Sequence, residues 1–135
     1  NLMKLFIHTD GGARGNPGPG AIGIVIANEK KEIIKEIGKF IGRSTNNEAE
    51  YRAVVEALKT CGEKKNLDIE FFIDSLLIVN QLNGKFKVKE PRMKKYFDEI
   101  KLLEKNFKSV KYTHIERSRN YAADKIVNEV LDNAR

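Results

Sequence analysis

His8-Thr9-Asp10-Gly11-Gly12-Ala13-Arg14-Gly15-Asn16-Pro17-Gly18-Pro19-Gly20 is the stretch that decides how this chain is read. An apolar strand pattern, Leu5-Phe6-Ile7, runs into one aspartate. Five glycines and two prolines follow, holding the backbone tight and free of bulky side chains. Asp10 is therefore expected at a strand end, beside a surface that a large ligand can approach. A carboxylate in such a place also serves simply to cap a turn. What distinguishes Asp10 is the recurrence of three further acids at comparable places: Glu50, Asp74 and Asp124.

Working outward, residues 3–10 read as the first strand. Residues 21–28 form a nearly continuous β-branched run suited to a sheet centre. The polar turn Glu29-Lys30-Lys31-Glu32 leads to a third strand over about 33–41, whose lysines suit an edge. Asn1-Leu2 ahead of Met3 reads as a remnant that plays no part in the fold.

A helix is expected to begin near Thr45, because Thr45 and Glu48 have the spacing of a capping box. Ala53, Val54, Ala57, Leu58 and Cys61 then define a buried stripe, and Gly62 ends the run. At about 100° per residue, Glu50 falls near the centre of that stripe while Glu48 points roughly opposite. Glu48 thus has a structural task and Glu50 does not. An inward-facing carboxylate is costly unless it is paired or binds a metal. The alternative is a stripe-edge acid that reaches solvent from the first turns.

Residues 69–73 form a short strand ending on Asp74, and Ser75-Leu76-Leu77-Ile78-Val79 turns helical. Asp74 fits two roles equally: a helix N-cap, or a ligand-facing acid at the carboxyl edge of an α/β sheet. Residues 83–91 interrupt the helices. If extended, Lys85, Lys87 and Lys89 share one face and Phe86 and Val88 the other, so the segment is either a solvated connector or a phosphate-tracking arm. A helix over about 92–105 buries Met93, Tyr96, Phe97, Ile100 and Leu103. The last strand covers 110–115. The last helix buries Ala123, Ile126, Val127, Val130 and Leu131, with Asp124 on its flank near the helix start, where the dipole favours an anion.

The whole is expected to be one domain over residues 1–135, 41% hydrophobic and 33% charged. No apolar run approaches the roughly 20 residues of a membrane span. One cysteine, Cys61, excludes an internal disulfide and a cysteine metal cage, and suits a reducing, cytoplasmic setting. A net charge of +6 points to a polyanionic partner, nucleic acid first. Four carboxylates meeting at one sheet edge repel one another unless cations neutralise them. Oxygen ligands alone suit Mg²⁺ or Mn²⁺ rather than zinc. Two such ions about 4 Å apart can activate water and stabilise a leaving oxygen in phosphodiester hydrolysis.

Residues 9–20, Ser44-Thr45-Asn46-Asn47-Glu48-Ala49-Glu50-Tyr51, Asp74-Ser75, His114-Ile115-Glu116-Arg117 and Asn120-Tyr121-Ala122-Ala123-Asp124, in this order, make the chain resemble the type 1 ribonuclease H family over nearly its full length. The resemblance implies endonucleolytic cleavage of the RNA strand of an RNA–DNA hybrid, leaving 5′-phosphate and 3′-hydroxyl ends. It also implies a five-stranded mixed sheet of order 3-2-1-4-5, strands 4 and 5 parallel to the first, with helices on both faces. The family's metal-binding quartet falls on Asp10, Glu50, Asp74 and Asp124. Asp10 would bridge both ions, and Glu50 would also reach toward a ribose 2′-hydroxyl. Backbone at Gly11, Gly12 and Ala13 would sense 2′-hydroxyls. Asn16 and Asn47 fit the minor-groove contacts, and Arg43 with Thr45 fits the pocket for a DNA-strand phosphate.

The chain departs from the family in three places. Leu76 replaces a glutamine that contacts the minor groove in many bacterial members. The basic handle is reduced to residues 84–91, so grip on the hybrid falls to Lys85, Lys87 and Lys89. The loop that carries a catalytic histidine is shortened, which leaves Arg117, Arg119 and His114 as candidates for product release. His8 is expected to be a packed or hydrogen-bonded core histidine. A monomer is expected. Two other readings stay open: a catalytically silent nucleic-acid-binding module on the same fold, and a nuclease acting mainly on double-stranded RNA.

Overall fold

The structure, a computed structural model, describes residues 3–134; Asn1-Leu2, expected above to play no part in the fold, lies outside the described residues. Five strands, β1 (Lys4–Ala13), β2 (Gly18–Ala27), β3 (Ile33–Ser44), β4 (Lys64–Ile73) and β5 (Phe107–His114), form one sheet of order β3-β2-β1-β4-β5. β1, β2 and β3 are antiparallel, whereas β4 and β5 run parallel to β1. The helices are α1 (Asn46–Cys61), α2 (Leu76–Leu82), α3 (Pro91–Glu104) and α4 (Tyr121–Asn133), the last preceded by a 3₁₀ turn at Arg117–Asn120. The expected sheet order and the coverage of both faces are as found. Among the described residues, no helix is long and apolar enough to cross a membrane.

Alternation along the strands sorts the two faces. Leu5 and Ile7 of β1 and Ile22, Ile24 and Ile26 of β2 point into the main core, where they meet Val54, Leu58, Ile78, Leu82 and Ile100 of α1, α2 and α3. On the other face Ala21 meets Val127 and Leu131 of α4. Gly23 lets α4 approach the sheet closely, since a Cβ there would collide with the Ala123 carbonyl.

β1 does not end at Asp10. It continues through Gly11, Gly12 and Ala13, paired with Ile22, Ala21 and Gly20 of β2, so the tight turn begins only after Ala13. Local glycine content suggested a turn, but non-local pairing makes a strand. β2 begins earlier than expected, at Gly18. β3 runs on to Ser44, β4 starts at Lys64 and β5 at Phe107, all lengthened by pairing with neighbours. Residues 83–90 form no strand: the chain turns at Gly84, with φ 79°, Phe86 is exposed, and of the two apolar residues only Val88 packs against the core.

α1 starts where the capping box places it. The Thr45 side chain accepts from the Glu48 amide, and the Glu48 side chain accepts from the Thr45 amide, both at 3.1 Å. Its predicted stripe and Glu50 are all buried.

Candidate active site

Parallel pairing of β1 with β4 stops at His8–Phe72, while antiparallel pairing with β2 carries on past Asp10–Gly23. Asp10 therefore stands just beyond the carboxyl end of the parallel half of the sheet, where ligands collect in α/β folds. Gly11 makes the next step possible. A Cβ there would overlap the Ala49 backbone, so its absence lets α1 lie directly against β1 and brings Glu50 to Asp10.

Asp74 follows the last residue of β4. Ser75, not Asp74, is the N-cap of α2, its hydroxyl accepting from the Ile78 amide at 3.3 Å. The two roles left open for Asp74 are thus separated, and its carboxylate is free of capping. One carboxylate oxygen each from Asp10, Glu50 and Asp74 lies within 4.8 Å of the others. Asp124, in the first turn of α4, lines the same cleft of about 350 Å³, and its charge bears on Asp10.

The electrostatics follow from this crowding. Burial, then the charges of Asp74 and Asp124, push the Asp10 carboxyl up to about 8. Glu50 is likewise held well above the usual carboxylate range, chiefly by burial and then by Asp10 and Asp74. Glu50 Oε1 is buried without a hydrogen-bond partner. An orphaned carboxylate oxygen inside a group of mutually repelling acids fits a hard divalent cation, whose charge removes the repulsion and whose vacant coordination takes the oxygen.

Asn120 is the residue that sequence reasoning missed. It is fully buried, and its amide donates to the Thr9 carbonyl at 2.8 Å and to Asp74 Oδ2 at 3.0 Å. Its place before a helix signals an N-cap, yet it makes no capping hydrogen bond and points inward instead. Asn46 was missed as well: its Oδ1 accepts from the Ala13 amide at 2.9 Å, tying the glycine-rich strand end to the start of α1.

The predicted substrate contacts divide into groups. Gly11, Gly12, Ala13 and Arg117 line the acidic cleft, Arg117 lying 3.8 Å from Asp124 Oδ1. A second groove of about 400 Å³ brings together Asn16, Thr45 and Asn47 with Gln81, Val88 and Arg92. Within it, Asn16 Oδ1 accepts from the Asn46 amide at 2.9 Å. Arg43 is exposed near the end of β3 and does not line that groove. Lys85, Lys87 and Lys89 are exposed on the connector and line neither cavity. His114 is exposed at the end of β5, paired in register with Ile73, and neither it nor Arg119 lines the acidic cleft. His8 is half-buried and stacked on Phe72, ring centroids 4.9 Å apart, and burial lowers its pKa.

A family model described as reverse transcriptase-like matches residues 8–130. Ribonuclease H of Clostridium botulinum is 33% identical over 150 aligned residues, covering 97% of each chain. The crystal structure of RNase H1 from the archaeon Halobacterium salinarum superposes with a TM-score of 0.91 at 37% identity, covering 97% of this chain and 99% of that one. LC11-RNase H1, from a compost metagenome and solved in complex with an RNA/DNA hybrid, gives 0.90 at 42% identity, covering 95% and 96%. A bifunctional protein of Mycobacterium tuberculosis is 36% identical across 98% of this chain, which spans only 36% of that relative's length. Sheet order and acidic edge together define a ribonuclease H-like α/β domain. The chain belongs to the ribonuclease H family, in its type 1 branch.

Proposed function

We propose that this chain is an endoribonuclease that hydrolyses the RNA strand of RNA–DNA hybrids, leaving 5′-phosphate and 3′-hydroxyl ends. The observation that carries the reading is the convergence of Asp10, Glu50 and Asp74 on one point, with Asp124 alongside, in a chain of this family. These four carboxylates hold divalent cations, Mg²⁺ in the cell with Mn²⁺ able to substitute. The cations supply activation of a water and neutralisation of charge on the leaving oxygen.

The chain's own residues do the rest. Burial and mutual repulsion favour the protonated forms of Asp10 and Glu50, and a cation entering between them would shift both toward the ligand carboxylate. Asn120 holds Asp74 toward the cleft. The backbone of Gly11 and Gly12 meets the RNA ribose, while the amide of Ala13 is already engaged by Asn46. Arg117, exposed at the cleft mouth, attracts the phosphate and helps release the product. Asn16, Thr45 and Asn47 receive the DNA strand in the second groove, with Arg43 and the connector lysines contacting the backbone around it. A monomer suffices, because all four acids come from one chain.

The test is cleavage of an end-labelled hybrid in Mg²⁺, Mn²⁺ and EDTA, beside RNA and DNA duplexes, with Asp10→Asn as control. Metal-dependent cutting confined to the RNA strand of the hybrid, reduced about 10³-fold or more in the variant, supports the reading. Binding without cutting in either metal overturns it in favour of a silent binding module. Preferential cutting of the RNA duplex moves the substrate assignment to double-stranded RNA.

A further inference from the structure

Asn128 stands in the middle of α4, exposed and one helical turn after Asp124. Nothing in the packing of the helix asks for asparagine there. Alanine or lysine would favour the helix more, and an asparagine side chain competes with the backbone for hydrogen bonds. Its amide nitrogen donates to Asp124 Oδ2 at 3.3 Å and to the Asp124 carbonyl at 3.1 Å.

The orientation of that amide is itself determined. Arg14 Nη2 lies 3.5 Å from Asn128 Oδ1 and 3.5 Å from the Asn128 carbonyl oxygen. A guanidinium only donates, so the amide must turn its oxygen to Arg14 and its nitrogen to Asp124. Arg14 is in turn anchored by Asp132 Oδ1 at 2.7 Å. The run Asp132–Arg14–Asn128–Asp124 therefore passes through Arg14, next to Ala13 where the glycine-rich strand end lines the cleft, and finishes on the one acid of the four that stands outside the tight three-acid convergence.

We propose that Asn128, oriented by Arg14, is a positioning residue that holds Asp124 turned into the acidic cleft and so completes the metal site. The inference rests on the metal-dependent reading above. Asp124 keeps 29% side-chain exposure, and among the described residues the cation nearest its Oδ1 is the solvent-exposed Arg117, 3.8 Å away. A first-turn aspartate so placed rotates readily toward water, and the Asn128 amide is the contact that opposes this on Oδ2. A hydrogen bond to a ligand carboxylate of this kind orients the ligand and tunes its metal affinity without touching the metal.

The test uses the full chain and two variants, Asn128→Ala and Arg14→Ala. Mn²⁺ binding is measured by titration calorimetry without nucleic acid, and kcat, KM and the Mn²⁺ activation constant are measured separately on a hybrid. Asn128→Ala is expected to weaken Mn²⁺ binding and activation about tenfold or more and to lower kcat, with KM for the hybrid little changed. Its thermal stability should be unchanged or raised, because alanine is the better helix former. Arg14→Ala should give a smaller loss in the same direction. Wild-type Mn²⁺ binding and kcat in Asn128→Ala, within about twofold, overturn the positioning role while leaving the nuclease reading intact. Failure of the unaltered chain to bind Mn²⁺ or cleave overturns both.

Discussion

The side-chain amide of Asn120 joins the backbone of β1 to Asp74, the acid that follows β4, at the point where the site is assembled. Removing it has two separable consequences. Asn120→Ala leaves the Thr9 carbonyl inside the protein without that donor, which costs about 1–3 kcal/mol. It also frees the Asp74 carboxylate to turn away from Asp10 and Glu50. Urea denaturation should show the first as a lower midpoint with unchanged slope. Steady-state kinetics should show the second as a fall in kcat that persists at temperatures and urea concentrations where the variant is fully folded. A variant with lowered stability but wild-type kcat would reduce Asn120 to a purely structural tie. Neither role was legible in the sequence, because an asparagine before a helix looks like a cap until the sheet is present to receive its amide. Glu50 was legible, because helix phase alone places it on the buried stripe and leaves Glu48 to the cap.

The elements differ in how much of them local sequence determines. α1 needs only its capping box, its apolar spacing and the glycine that follows, all contained within residues 45–62, and it forms where these place it. The strands are different. β1 passes through Gly11 and Gly12 because β2 is there to pair with them, and β4 extends back to Lys64 through its pairing with Phe107 of β5. A turn-rich composition cannot reveal a partner strand. The connector between α2 and α3 is the other case. Its alternating lysines left a solvated connector and a phosphate-tracking arm both open, and the turn at Gly84 and the anchoring of Val88 leave the three lysines exposed on an irregular segment. If they hold phosphates, changing Lys85, Lys87 and Lys89 together to glutamine should lower the slope of log affinity against log salt by about 2–3, near one unit per lost contact. Hybrid binding in EDTA between 50 and 200 mM salt, a range of the usual order for such titrations, reads this directly. An unchanged slope would assign the segment to solvent.

At the scale of the whole molecule, the mixed sheet brings Asp10, Glu50 and Asp74, acids separated by as many as 64 positions in sequence, to one edge, and the fold bears the repulsion that results. The consequence is a stability that depends on pH and on metal in a definite sense. Asp10 has an ordinary value near 3.8 in the unfolded chain and about 8 in the folded one. Between these limits the folded state binds more protons, so stability without metal falls as pH rises, and Glu50 acts in the same direction. His8 opposes the trend: burial lowers its pKa, so it favours the folded state as pH passes through its ordinary 6.5. The contribution of Asp10 is therefore isolated as the difference between the unaltered chain and Asp10→Asn. In EDTA, the melting temperature of the unaltered chain should drop relative to the variant between about pH 5.5 and pH 8.5. Relief of about 1 kcal/mol in the variant corresponds to roughly 3–6 °C for a domain of this size. Divalent cation should reverse the order at the upper end. A cation at 100 times its dissociation constant adds about 2.7 kcal/mol, on the order of 10 °C in melting temperature, and it does so only where the carboxylates can be deprotonated. The variant, with one ligand fewer, should gain much less. Parallel melting curves for the two proteins at every pH, with or without Mg²⁺, would mean that Asp10 is neither strained by its neighbours nor part of a cation site.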